Sequence, residues 1–128
     1  MDRKEFVESC IDGNKEKLIQ ISQKIWNLAE LGYQEFQSAD VLCKALSDEG
    51  FEVTRNLVGI PTAFKGQWGS GRPVIGILGE FDALPGLSQE AGCPVRKPVS
   101  EGGSGHGCGH NLLGTGALGG AIAIKEYL

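Results

Sequence analysis

The sequence predicts an α/β domain of three layers, of which residues 1–128 supply an N-terminal portion with an incomplete sheet. Three observations predict it. In the first third, apolar residues recur at three- and four-residue spacing, the period of helices packed on one face. The middle third switches to a period of two and then to a continuous apolar run, as strands do. After a long glycine-rich stretch, residues 112–128 return to a helical pattern.

The first apolar face is short: Phe6, Val7 and Ile11. Gly13-Asn14 interrupts it, with Asn14 placed to cap the next helix. Leu18, Ile21, Ile25, Leu28 and Leu31 then follow in helical register, and Gly32 is the expected stop. A further helix fits about Ser38 to Glu49, with Val41, Leu42, Ala45 and Leu46 inward and Gly50 ending it. Phe51–Thr54 alternates as a strand, and Thr62–Trp68 is a second candidate. Gly69–Pro73 is a turn signal. Val74-Ile75-Gly76-Ile77-Leu78 reads as a strand buried on both faces. About 25 residues after Pro85 read as loop, a length that points to function or to disorder. Small residues along 112–128 would let that last helix pack closely. With no strand after it, the pattern implies a free sheet edge or an exposed apolar face.

Composition excludes several classes. At 41% apolar and 22% charged residues the chain is ordinary for a globular protein. A net charge of −4 with mixed signs argues against a nucleic-acid partner, which needs a basic face. The longest apolar runs, Val74–Leu78 and Ala121–Ile124, are far below the ~20 residues that span a bilayer. Met1–Glu5 is not followed by an apolar segment of the signal-peptide kind. Cys10, Cys43, Cys93 and Cys108 are widely spaced, without a CxxC, which favours a reducing cytoplasm over a disulfide framework.

The chemistry concentrates in two segments. Residues 105–111 read Gly-His-Gly-Cys-Gly-His-Asn and hold both histidines of the protein. A thiolate and two imidazoles so close together are donors of the kind zinc takes, and glycines let the backbone fold around an ion. Cys108 and His110 are therefore a candidate metal pair; the plainer alternative is a buried cysteine beside a helix-capping histidine. His106 is a third ligand, a hydrogen-bond partner of a ligand, or a substrate contact. Upstream, Glu80 and Asp82 end the apolar run at i, i+2 spacing, which puts both on one face if the strand continues. At the carboxyl end of a strand they would face the crevice where open α/β sheets bind ligands. They are metal ligands, carboxylates that orient a ligand, or a solvated strand end. Gly114–Gly119 matches GxGxxG, but no strand precedes it, so helix packing explains it better than a dinucleotide. A Cys108–His110 nucleophile pair is geometrically awkward at two-residue separation.

At these residues the chain resembles metallopeptidase family twenty, the aminoacylase/carboxypeptidase family, and within it the aminobenzoyl-glutamate branch. Gly79-Glu80-Phe81-Asp82-Ala83-Leu84-Pro85-Gly86-Leu87-Ser88-Gln89 is similar to that branch's first motif. Gly105–Thr115 is similar to its second, and Ala29-Glu30-Leu31-Gly32-Tyr33-Gln34-Glu35 to a segment nearer the N-terminus. The resemblance implies a zinc-peptidase-like catalytic domain that hydrolyses the amide of an acyl-amino acid, aminobenzoyl-glutamate first and a dipeptide second. It implies a divalent metal, zinc or manganese, two ions in the intact enzyme, and a metal-activated water. Cys108 and His110 match metal ligands, and Asp82 matches an orienting carboxylate near the metals. Glu80 stands where some branches have a ligand histidine, and Asn111 where many relatives have Asp. The family's general-base glutamate, its remaining ligands and its dimerising lid domain fall beyond position 128. The chain alone is therefore expected to be inactive, with a homodimer or a partner subunit as further possibilities. The rival readings are a non-catalytic module that pairs its sheet edge with another chain, and a small structural zinc site.

Overall fold

The computed structural model describes all residues, 1–128. Four helices carry the fold: α1 (Arg3–Gly13), α2 (Lys15–Leu28), α3 (Phe36–Asp48) and α4 (His110–Tyr127). One two-stranded antiparallel sheet, β1 (Glu52–Arg55) and β2 (Phe64–Gln67), follows α3, with a 3-10 turn at Leu57–Gly59 between the strands. In register, Glu52 faces Gln67 and Arg55 faces Phe64. The molecule is thus a mixed α/β structure with a small sheet.

Local chemistry sets most of the boundaries. Asp2 and Glu5 form a reciprocal capping box at the start of α1, each side chain accepting the other's backbone N–H. Asn14 lies between α1 and α2, but its side chain donates back to the Cys10 carbonyl instead of capping forward. Gly50, at φ +86°, ends α3 as expected from the sequence. The expected stop of α2 at Gly32 is corrected: the helix ends at Leu28, and Ala29 takes the left-handed conformation at φ 43°. A non-glycine residue there is uncommon, and the hydrogen bonds around it, described below, hold it in place.

α4 is the hub, packing against α1, α2 and α3. Ile25 and Ile122 are fully buried, each contributing about 1.5–3 kcal/mol of transfer free energy. Leu42, Ala45, Leu118 and Ala123 close the core around them, with Phe64 and Phe81 packed on its edge. The glycines of α4 permit this approach. A Cβ at Gly119 would meet Leu18 and Ile11 at 3.3 and 3.4 Å. At Gly114 it would meet the Glu80 carbonyl and Phe81 Cβ, both at 3.1 Å.

The expected buried strand Val74–Leu78 is the main correction. Val74 and Leu78 are 81% and 93% exposed, and no residue from 68 to 82 makes a backbone–backbone hydrogen bond. The reason is topological. The β1–β2 hairpin packs on α3, where Leu46 fills the space beside Gly66. Residues 77–79 instead lie over α4, Ile77 beside Gly120 and Gly79 beside Ala117. The two candidate sheet segments therefore sit on different helices and do not pair.

A charged staple closes the far end. Glu49, just past α3, accepts from Lys17 of α2, and Lys125 of α4 donates to both its carboxylate and its backbone carbonyl. The Lys17 hydrogen bond holds the Glu49 carboxyl below its ordinary range, against the opposing effect of burial. A depressed folded-state pKa gives stability that is fully present above the unfolded value and lost as pH falls through the folded one. Urea denaturation as a function of pH should show an acid limb beginning below about pH 4.5, and Glu49→Gln should flatten it. Two glycines of α4 should respond in opposite directions. Gly114→Ala should destabilise by about 1–3 kcal/mol through overpacking against Glu80 and Phe81. Gly116→Ala, on an open helix face, should stabilise by up to about 1 kcal/mol. Equal effects in urea melts would refute the packing account of Gly114.

Candidate metal centre

The site is assembled on the C-terminal end of α2. Backbone carbonyls at and just past this end of the helix take partners from other parts of the chain. The Ile25 carbonyl accepts from His106 Nε2 at 3.1 Å as well as from Ala29 N–H. The Ala29 carbonyl accepts from the Ser104 hydroxyl. The Glu30 carbonyl accepts from Ala83 N–H at 2.7 Å, and Leu31 bridges Ala83 in parallel fashion. The Glu30 carboxylate then caps α3, accepting from Gln37 and Ser38 N–H. The Ala29–Glu35 segment thus joins two helices to both motif segments.

The motif segments also bond to each other. Leu84 and Gly105 exchange both backbone hydrogen bonds at 3.0 Å. A Cβ at Gly105 would fall 1.9 Å from the Leu87 carbonyl, so only glycine fits. Gly109, at φ +78°, turns the chain into α4. The motif glycines therefore serve chain crossing and helix entry. The stretch expected as loop has no helix or strand between Pro85 and His110, yet side chains order it. Gln89 bonds to Cys93, Val95 and Lys97 backbone groups, and Ser88 Oγ accepts from Val99 and Ser100.

Glu80, Asp82 and His110 come together, with ligand atoms all within 4.8 Å of one another. His110 Nδ1 lies 2.7 Å from Asp82 Oδ1, and its Nε2 lies 3.2 Å from Glu80 Oε2. The His110 side chain is 17% exposed, while Glu80 is open to solvent. Consider a neutral imidazole that donates from Nδ1 to Asp82. Its Nε2 lone pair then faces a carboxylate lone pair, and the two repel. A cation between them, a metal ion or a proton on Nε2, removes the conflict. The His110 imidazole and the Glu80 carboxylate are donors that zinc or manganese takes, with Asp82 orienting the ring from behind.

The other expected site residues lie differently. Cys108 is exposed and outside this cluster. His106 is 4% exposed, bonded through Nε2 to α2 and stacked on Trp26 at 6.4 Å between ring centroids. Burial pushes its pKa below the ordinary histidine range, with the Ile25 hydrogen bond pulling the other way. Sequence reading missed the parts played by Glu30, Trp26 and the Ser22 carbonyl, which accepts from Asn111 Nδ2 at 3.4 Å. Backbone acceptors leave no mark in side-chain patterns; Glu30, a charge inside an apolar helix-end segment, was the one available signal.

No family model matches the chain. Among curated proteins it is 49% identical over 123 residues to a subunit of the p-aminobenzoyl-glutamate hydrolase of Escherichia coli, covering 96% of this chain and 26% of that protein. It is 30% identical over 132 residues to Xaa-Arg dipeptidase of Homo sapiens, covering 93% of this chain and 26% of that one. It is 30% identical over 128 residues to thermostable carboxypeptidase 2 of Saccharolobus solfataricus, covering 98% and 32%. The chain thus spans about a quarter to a third of the length of these relatives. All three are named for cleaving amide bonds, and similarity at this level runs through nearly the whole chain, including both motif segments. Over nearly its whole length the chain is thus homologous to amidohydrolases and peptidases, relatives consistent with metallopeptidase family twenty.

Proposed function

We propose that residues 1–128 form the N-terminal part of a metal-dependent amidohydrolase catalytic domain that cleaves an acyl-amino acid. An aminobenzoyl-glutamate-like substrate is first and a dipeptide second, by analogy with the activities for which the relatives are named. The observation that carries the metal reading is His110 held between the Glu80 and Asp82 carboxylates, the ligand atoms of all three lying within 4.8 Å of one another. His110 and Glu80 would hold a zinc or manganese ion, and Asp82 would orient the imidazole. Cys108, exposed two residues away, would join as a further ligand, and two ions would occupy the complete enzyme. When bound, such an ion polarises a scissile carbonyl and activates water. This chain's own residues hold the ligands in place and close the site against α2. In the complete three-layer domain, further chain would supply the general base.

A second reading, a partner-pairing module, has its own observation in the unpaired apolar segment 74–78. Co-purification of a second polypeptide with wild-type protein, abolished by Ile75→Lys/Ile77→Lys, would favour it.

Equilibrium dialysis of the purified chain against zinc and manganese tests the primary reading. Saturable binding near one ion per chain is expected. It should fall at least tenfold in Cys108→Ala/His110→Ala and in Glu80→Gln. Metal binding unchanged in His110→Ala would refute the site.

A further inference from the structure

His106 and Asn111 stand on either side of His110, and both are buried. Each is tied to α2 by a donor atom. His106 Nε2 reaches the Ile25 carbonyl at 3.1 Å, and Asn111 Nδ2 reaches the Ser22 carbonyl at 3.4 Å. Ser22 and Ile25 are three residues apart, so their carbonyls lie on one side of the helix. A carbonyl only accepts, which places the His106 proton on Nε2 and leaves a bare lone pair on Nδ1. That Nδ1 is buried without a hydrogen-bond partner, as is Asn111 Oδ1. Neither His106 nor Asn111 belongs to the Glu80–Asp82–His110 cluster.

We propose that His106 and Asn111 are paired positioning residues: they clamp the 106–111 junction to α2, so aiming the His110 ring at Asp82 and Glu80, and His106 is not itself a ligand. The chain between them contains Gly109, whose left-handed turn would otherwise leave the entry to α4 free to swing. Fixing the junction on both sides removes that freedom from His110. Trp26 backs the His106 ring and Thr115 Oγ1 donates to the Asn111 carbonyl at 2.7 Å, so each clamp is itself held. The functional meaning of this clamp rests on the metal reading above; its geometry does not.

Two substitutions separate positioning from ligation. His106→Gln keeps a donor where Nε2 stands and loses Nδ1. His106→Asn does the reverse. The experiment is a zinc titration against a chromophoric chelator, together with long-range proton–nitrogen NMR of the histidine rings in metal-free protein. Metal-free wild type should show His106 with its proton on Nε2. His106→Gln should bind zinc within about threefold of wild type and leave the His110 ring signals in place. His106→Asn should bind about 10–100-fold more weakly and shift the His110 signals before any metal is added. The reverse order of affinities would make His106 a ligand and overturn the proposal. So would a proton on Nδ1, or His110 signals unmoved in both variants. Should His106→Asn fail to fold, the wild-type tautomer and the behaviour of His106→Gln still decide. A wild type that binds no zinc would count against the metal reading, while the metal-free ring spectra would still decide the clamp.

Discussion

The rest of the structure depends on backbone carbonyls at and just beyond the C-terminal end of α2. A helix end always leaves acceptors over, and burying them unpaired is costly. Here Ile25, Ala29 and Glu30 hand their carbonyls to His106, Ser104 and Ala83. The two motif segments are far apart in sequence, yet both are hydrogen-bonded to this one short stretch. The left-handed turns at Ala29 and Tyr33 fit the same picture. Each costs conformational energy, on the order of 1–3 kcal/mol, and each bends the chain so that Glu30 can also cap α3. One segment thereby sets the relative placement of α2, α3 and the candidate site.

α4 completes this arrangement from the other side. Its first residue is His110 and its buried face is the centre of the core. A helix rich in glycine is intrinsically poor, by roughly 1 kcal/mol per glycine relative to alanine. The compensation is proximity: Gly114 brings Glu80 and Phe81 against the helix one turn after His110. The packing that stabilises α4 therefore also delivers a carboxylate-bearing segment to the imidazole. Core and site are built on the same helix, α4, so its packing and the site geometry are coupled through it.

The helices were legible in the sequence because their apolar periodicity matches a buried face that the chain itself provides. The β1–β2 hairpin was legible for the same reason, with α3 as its support. Glu80 and Asp82 were readable as a pair from their i, i+2 spacing, and both do reach His110. The stop of α2 was misplaced because glycine is only a prior for a left-handed residue; here tertiary hydrogen bonds impose that conformation on Ala29 while Gly32 lies under Asp82. The strand reading of Val74–Leu78 failed on a different ground. An apolar run states what a segment can bury but not whether a neighbouring strand is there to bury it. The backbone anchors of the site could not be read at all, since carbonyl acceptors are common to every residue.

That unpaired segment bears directly on the site. Asp82 is followed at once by Ala83, whose N–H is bonded to Glu30, so its carboxylate is held from the backbone upward. Glu80 lies farther from that anchor: the residues on both sides of it make no backbone–backbone hydrogen bonds, and its side chain is 65% exposed. The two carboxylates around His110 therefore differ in rigidity. The ring is oriented from the anchored side, by Asp82, and met from the free side, by Glu80. Contacts that ordered the exposed Val74–Leu78 segment would restrict Glu80 through the same backbone, which runs directly into it. Glu80 lies two residues beyond that segment, so its carboxylate is the group near His110 that such ordering would reach first.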